Sequence, residues 1–505
     1  MATCVGTGVT VFASKTRWAV LALVGLFVAL GAWSLSSAVG ASPDDDFHMA
    51  SIWCGAGEKP GLCEATGEEG HRLVLPGLVE AGCYVFEPAQ SAECQQRNHI
   101  FSQSELIDST RGSFTSNYPP VYYAITSLFA SSDIPSSVIA IRIFNSLFFM
   151  GSLIALMLIA PRRLRISYFW MWALTIVPLG IFLIASTNPS SWAITGVPIA
   201  WMALYLFLTQ SGKRSFAAGA LFLVEVFLVS GARGDAAIYT IIGSVLIGFL
   251  TWQRSRSFAQ KLILPSAAAL ISLYFYASSL QATVASSGMT STDGEAPRTA
   301  LGVLAINLVQ LPELWVGAFG FWPLGWLDTQ MPALVWVTIS GIFAAVVFLL
   351  VKGATKRRAI TLLGLAAILY LLPLYVLQKG LNHVGEQVQP RYLLPLIVGF
   401  AAIACLKFAG TKPVLSNLQS WVILAGIAIA NALALYVNTK RYVSGLNNGT
   451  GVSLDANIEW WWNIPLSPMT VWILGALGFA VAVVAGFKWI QLQHDKSVTL
   501  VTGTN

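Results

Sequence analysis

Lysines and arginines alternate with apolar runs along this chain, and that alternation limits the fold more than any other feature. Apolar stretches of about the length that crosses a bilayer lie near residues 18–40, 138–160, 166–186, 192–210, 216–232, 236–252, 262–281, 332–351, 359–378, 392–406, 417–438 and 471–490. Every second gap is basic. These gaps hold Lys15 and Arg17; Arg162, Arg163 and Arg165; Lys213 and Arg214; Arg254, Arg256 and Lys261; Lys352, Lys356, Arg357 and Arg358; Lys407 and Lys412; Lys488 and Lys496, with Asp495 as their single acid. Lysine and arginine collect on the cytoplasmic side of membranes. The pattern therefore predicts an all-α membrane protein of about twelve transmembrane helices, multi-pass in the cell (plasma or bacterial inner) membrane, with both termini cytoplasmic. The first run is too long for a cleaved signal peptide.

Composition closes off the other classes. Only 10% of the 505 residues are charged, against about 25% in soluble domains. That excludes a soluble globular enzyme, a disordered chain, a collagen-like fibre and a nucleic-acid-binding domain. The pI near 9.0 follows from the basic loops beside the spans rather than from a nucleic-acid partner.

The whole chain, 1–505, reads as one polytopic domain whose soluble mass lies outside. Residues 41–137 form a large exoplasmic loop, and 282–331 and 439–470 form smaller ones. Four cysteines, Cys54, Cys63, Cys83 and Cys94, fall in the first loop. An even number in an oxidising compartment predicts two disulfides with three possible connectivities; a zinc site is the alternative, although no C-x2-C spacing supports it. Cys4 and Cys405 are expected to be unpaired. Within the loop, Asn117-Tyr118-Pro119-Pro120-Val121-Tyr122-Tyr123 precedes a run, 121–130, too short to span. It is expected to lie flat on the outer membrane surface, as an anchor or as one wall of a substrate cleft.

The residues able to carry chemistry gather at the same outer face. Ser42-Pro43-Asp44-Asp45-Asp46-Phe47-His48 follows the first span. One reading is a helix-capping acidic turn. The other is a general base, with crowded like charges raising a carboxylate pKa, or a divalent metal site for Mg or Mn at Asp44/Asp45; no other cofactor is indicated. His48, one turn on, is placed to hydrogen-bond an acid. Arg142 and Asn145 open the second span on one face, and Arg142 either snorkels or reaches a phosphate. Asn188-Pro189 closes the third span, Arg233 and Asp235 flank Gly234 as a local pair, and Arg391-Tyr392 stands at the mouth of the tenth span. Trp326 and Asp328 lie in an aromatic, Gly-rich segment, and Glu459 precedes three tryptophans at 460–462. Glu225, alone in mid-span, is read as hydrogen-bonded and neutral, with a proton path as the alternative.

Four of these motifs, in order, resemble those of the bacterial membrane-protein family known as domain of unknown function 2142 (DUF2142). They are Pro43-Asp44-Asp45-x-x-His48, Asn188-Pro189, Gly325-Trp326-Leu327-Asp328-Thr329-x-x-Pro332 and Arg391-Tyr392. That family is similar to membrane glycosyltransferases of the GT-C superfamily. The resemblance implies a GT-C-like fold and transfer of a hexosyl or pentosyl group, with inversion, from a polyprenyl-phosphate donor to a cell-envelope glycan, lipid or protein. It implies Asp44, Asp45 and His48 as the catalytic set, with Asp44 as the base and Asp45 where the family has Glu. Arg391, Tyr392, Asn188, Trp326 and Asp328, which lie in those motifs, join Arg142, Asn145, Tyr118 and Tyr122, read from their place at the outer face, as the substrate-binding set. The rival readings are a transporter or flippase of a lipid-linked sugar, marked by Glu225 on a central pathway, and a non-catalytic envelope-assembly subunit.

Overall fold

A computed structural model of the chain describes residues 5–289, 298–410, 413–447 and 451–502. Cys4 lies outside the described residues, as does Lys412. Among the described residues, ten helices are long and apolar enough to cross a membrane. They include the first helix, whose apolar part is Thr16–Leu35, and Ile134–Ile159, Ser190–Thr209, Gly234–Thr251, Ala333–Val351, Lys356–Gly380, Asn417–Val443 and the last, Pro468–Thr502.

Two of the twelve expected spans take another form. The 166–186 run breaks into Arg162–Ala173 and Leu179–Ile184. Pro178 lies between them, where it lacks the N–H that would continue the helical ladder. The 216–232 run is one helix, Gly212–Ser230, which carries Lys213, Arg214 and Glu225. The last helix also runs to Thr502, well beyond the apolar run expected to end near 490.

Ends of the helices are fixed by local chemistry. Asp133 accepts from the Ser136 amide at 3.1 Å and starts Ile134–Ile159, with Pro135 in its first turn. Ser416 and Gln419 form a reciprocal capping box that starts Asn417–Val443.

The helix ends gather at two faces. At one face Lys261 donates to the carbonyls of Phe207 and Gln210, Arg357 to that of Trp252, and Arg165 to the Gln493 side chain. Lys261 and Arg357 thus satisfy carbonyls at the C-termini of Ser190–Thr209 and Gly234–Thr251. At the other face the turn after the first helix meets Asn188, Arg391 and Trp326. We call this second face the loop face, because residues 41–137 cover it.

The loop has its own core, which includes Trp53, Leu78, Tyr84, Tyr122 and Trp192. Three short antiparallel strands, Cys63–Ala65, Arg72–Val74 and Ile107–Ser109, pair in sequence order. Of the three possible connectivities the structure has Cys54–Cys63 and Cys83–Cys94. Cys405 is a buried free thiol. The short helix Val121–Thr126 does not simply lie on a membrane surface: Tyr122 and Tyr123 are buried in the protein, while Leu128, just beyond it, points outward.

Candidate functional site

The acidic turn is where the loop-face elements converge. Residues 36–44, ending in Ser42 to Asp44, connect the first helix to the helix Asp45–Trp53. Asp44 occupies the N-cap position with φ 60° and ψ 24°, and its side chain caps no amide. An aspartate can adopt this left-handed conformation, but at a cost. The capping reading is therefore excluded for Asp44, whose carboxylate turns away from the helix it precedes.

The three consecutive acids face three different partners. Asp44 Oδ2 accepts from Arg391 Nη2 at 2.5 Å, and Arg111 Nη2 lies 3.8 Å from its other oxygen. Asp45 is fully buried and accepts from the Ser42 amide at 3.0 Å, from the Ser42 hydroxyl, and from the Thr187 hydroxyl at 2.6 Å. Asp46 is held by both arms of Arg111, at 2.7 and 3.0 Å.

Crowding is thus relieved, and the expected reason for a raised pKa fails at Asp44. Partial burial pushes its carboxyl up, but Arg391, His48 and Arg111 outweigh burial and hold it below the ordinary value. Asp45 is the acid that is raised, by burial, yet its oxygens are already committed. As arranged, these residues do not fit a divalent cation: each carboxylate has its own partner. Among the described residues no group of three His, Cys, Asp or Glu side chains converges.

Arg391 opens the helix Pro390–Cys405 and is 4% exposed. Nη1 donates to the Pro43 carbonyl at 3.0 Å, and Nη2 donates to both Asp44 and the Tyr392 hydroxyl. Asn188 Nδ2 donates to the same Pro43 carbonyl at 2.7 Å. Arg391 from its helix, and Thr187 and Asn188 from the turn between Leu179–Ile184 and Ser190–Thr209, therefore hold the acidic turn. His48 does not bond an acid. Its Nδ1 meets the Tyr123 hydroxyl at 2.9 Å, and its Nε2 is buried without a partner. Burial holds the imidazole well below its ordinary pKa; Arg391, Arg233 and Arg111 add to the shift, and Asp44 only partly opposes it. His48 is accordingly neutral at pH 7.

A cavity of about 340 Å³ adjoins this cluster. Tyr118, Arg233, Asp235 and Tyr392 line its polar end, and Leu372, Val376 and Leu393 line its apolar body. It reaches the surface of the bundle at Tyr375, which is 46% exposed. Arg233 pairs with Asp235 through two bonds of 2.9 Å, as the sequence led us to expect. Its guanidinium also lies 5.6 Å from the Tyr118 ring centre and 5.2 Å from that of Tyr392. Arg391 lies 5.0 Å from the same Tyr392 ring. One tyrosine ring is thus shared by two buried arginines. Burial raises the Tyr118 phenol to about 12, so it remains a hydrogen-bond donor at neutral pH.

The remaining sequence candidates lie elsewhere. Arg142 neither snorkels nor faces the cavity. It donates to the carbonyls of Ser34, Ser37 and Ala38 and so closes the first helix. Asn145 bonds Tyr122, the Ser186 carbonyl and Trp192, and Tyr122 in turn bonds the Thr187 carbonyl. These residues support the turn from beneath. Trp326 donates to the Gly40 carbonyl at 2.8 Å, and Asp328 pairs with buried Arg441 at 2.9 Å. Both serve the base of the loop. Gly325, at φ 64°, makes that turn: a Cβ there would come within 2.9 Å of Asp328 Oδ1. Sequence reasoning missed Arg111, which lies in a polar run without periodicity. It also read Arg233 as a local partner of Asp235 facing the outer leaflet, not as a wall of a cavity.

The family model described as "Predicted membrane protein (DUF2142)" matches residues 26–400. No curated protein matches the sequence. Among solved structures, ArnT from Cupriavidus metallidurans bound to undecaprenyl phosphate is similar, with 12% identity and a TM-score of 0.43 over 94% of this chain and 77% of that one.

Proposed function

The chain belongs to the DUF2142 family of membrane proteins, and from the geometry of its loop-face site we propose that it is a glycosyltransferase. In this reading it moves a sugar from a polyprenyl-phosphate donor to a hydroxyl of a cell-envelope acceptor at the outer face of the membrane. One observation carries the reading: a part-exposed aspartate that caps nothing pairs with buried Arg391, and Arg391 and buried Arg233 both pack near the ring of Tyr392, which with Arg233 lines a cavity with a polar end and an apolar body. Such a cavity suits an amphiphile with an anionic head, and the aspartate supplies a base where a second substrate can approach from water.

In this scheme the donor phosphate sits by Arg233 and Arg391, and the lipid chain follows the apolar wall. The acceptor hydroxyl attacks the anomeric carbon from the face opposite the phosphate. Asp44 takes its proton as the new C–O bond forms. The anomeric bond to phosphate breaks, and the lipid phosphate leaves with the bonding pair. Charge grows on that phosphate in the transition state, where fixed guanidinium donors count most. Inversion follows from single displacement. Asp45 holds the turn, and His48 packs behind the base as a neutral ring.

The test is transfer by purified protein in liposomes, with a panel of polyprenyl-phosphate hexoses and pentoses and with envelope glycans as acceptors. Asp44→Asn keeps the shape and removes the base, so turnover should fall about 100–10,000-fold. Wild-type turnover by correctly inserted Asp44→Asn protein would remove Asp44 from the mechanism. A lipid-linked-sugar transporter is the second reading, favoured by Glu225, a buried acid with Oε2 unpartnered. Glu225 lines neither the cavity by Arg233 nor the apolar cleft by Trp172 and Trp489. Transport lost in Glu225→Gln, with no transfer by the wild type, would favour that reading.

A further inference from the structure

We propose that Arg391 is a shared cation: at rest it neutralises Asp44, and the donor's phosphate takes it over, so that donor binding frees the base. The inference rests on the transferase reading and deepens it, because as it stands Asp44 is a poor base. Its Oδ2 is occupied by a guanidinium nitrogen at 2.5 Å, and an ionised partner at that distance disfavours the uptake of a proton.

The contacts of Arg391 are arranged for an exchange of one bond rather than a collapse. Nη1 is anchored on the Pro43 carbonyl, which Asn188 also holds. Only Nη2 reaches Asp44, and it already shares itself with the Tyr392 hydroxyl. Tyr392 lines the cavity, and the guanidinium groups of Arg391 and Arg233 lie 5.0 and 5.2 Å from its ring centre. A phosphate at the polar end of the cavity would thus meet Tyr392, whose hydroxyl already bonds Nη2.

Asp44 is equally suited to being released. Its side chain is 38% exposed, whereas that of Arg391 is 3% exposed. Water can solvate the carboxylate once its partner leaves, while the buried guanidinium still needs an anion. The left-handed backbone of Asp44 and its unused capping role leave the Arg391 contact as the main restraint on the carboxylate, with Arg111 at 3.8 Å as a looser one. The step moves no covalent bond. One anion replaces another on Arg391, and Asp44 becomes competent only when a leaving group is in place, which limits idle hydrolysis.

The test is binding of undecaprenyl phosphate to the full chain in nanodiscs, read by native mass spectrometry. Asp44→Asn removes the competing anion and should tighten binding about three- to tenfold, the scale of one partly exposed ion pair. Arg391→Ala should weaken binding. In the Arg391→Ala background, Asp44→Asn should have no further effect, which isolates the pairwise coupling. If Arg391→Ala fails to insert, Arg391→Lys replaces it, because one ammonium cannot span the Pro43 carbonyl and Asp44 and the coupling should shrink.

Unchanged affinity in Asp44→Asn, with a clear loss in the arginine variant, would overturn the exchange and leave the transferase reading standing. Equal tightening in both backgrounds would also overturn it, since the effect would then be general removal of negative charge. No binding by either wild type or Asp44→Asn would instead reject the lipid-phosphate donor, and the exchange with it.

Discussion

Two aspartate–arginine pairs stand at the loop face, and they do different work. Asp328 and Arg441 meet at 2.9 Å with side chains 5% and 0% exposed. Arg441 also donates to the carbonyls of Tyr84 and Gln90, so it ties the large loop to the helix Asn417–Val443. Asp44 and Arg391 join the same kinds of groups, but the acid is 38% exposed and a cavity lies beside the pair. The first pair is enclosed on every side and cannot exchange partners without unpacking the loop. The second has an acid open to water and a base-side neighbour open to an amphiphile. Exposure of one partner, not the pairing itself, separates a structural rivet from a candidate catalytic pair.

Arginine deletion at the two sites should break this comparison most sharply. Arg391→Ala should lower transfer about 100- to 1,000-fold, as loss of one donor to a developing charge does, while folding stability falls by only about 1 kcal/mol because Asp44 gains solvent. Arg441→Ala leaves Asp328 buried and unpaired, a situation that costs about 3–5 kcal/mol. Protease resistance of the loop and denaturant unfolding in detergent would measure both. Equal loss of stability in the two variants would show that exposure does not separate the pairs.

The disulfides extend the contrast to the loop itself. Cys54–Cys63 anchors the helix that follows Asp44, and Cys83–Cys94 flanks the Tyr84 segment that Arg441 holds. Each closes a short loop, of sequence separation 9 and 11, for which the chain-entropy account gives about 2.5–3 kcal/mol. Replacing Cys83 and Cys94 by alanine should loosen the Arg441 region. Replacing Cys54 and Cys63 should instead loosen the first acidic turn and reduce transfer. Peptide mapping without reduction, with unfolding and activity measured on each pair, checks the assignment.

The sequence made most of the fold legible and only half of the site. Spans were readable because lipid demands long apolar helices whose ends carry charge. The break near Pro178 was not, because a proline inside an apolar run leaves run length unchanged. Asp44 and Arg391 were found because each stands at a helix boundary within a short motif. The partners that decide their roles were not. Arg111 meets Asp46 across 65 residues and Arg441 meets Asp328 across 113, with no pattern in the intervening chain. Exposure was equally hidden: Asp44 and Asp328 are both acids in loop segments, and only packing makes one half-open and the other closed.

A pH profile should sharpen the working side of the comparison. Asp44 faces Arg391, Arg111 and His48, with Asp46 beside it on Arg111. Arg391 foremost, with Arg111, holds its folded-state pKa below the ordinary value of 3.8 despite partial burial. Stability from this site is therefore present above the unfolded-state pKa and lost as pH falls through the lower folded-state one. In activity, kcat/KM reports the free protein, so its acid limb should lie below the ordinary carboxylate range. The limb of kcat reports the donor-bound protein, and it should lie higher, because Arg391 has moved to the phosphate. Coincident limbs would count against the exchange.

The smallest effect belongs to Arg111. It grips Asp46 through two bonds and lies 3.8 Å from Asp44, but its side chain is 49% exposed. Arg111→Ala should cost about 0.2–1 kcal/mol of stability, the range of exposed pairs. Salt should erase most of that difference, since charges open to water are screened within about 10 Å at 0.1 M. With one cation gone, the acid limb of kcat/KM should rise slightly at low salt and return toward the wild-type position as salt is added. Arg391→Ala should raise the same limb further, and salt should do little to reverse it. That ordering follows if burial of the cation governs how firmly each arginine controls Asp44. A salt-insensitive Arg111 variant as damaging as Arg441→Ala would place Arg111 among the rivets and shift the boundary between the two kinds of pair.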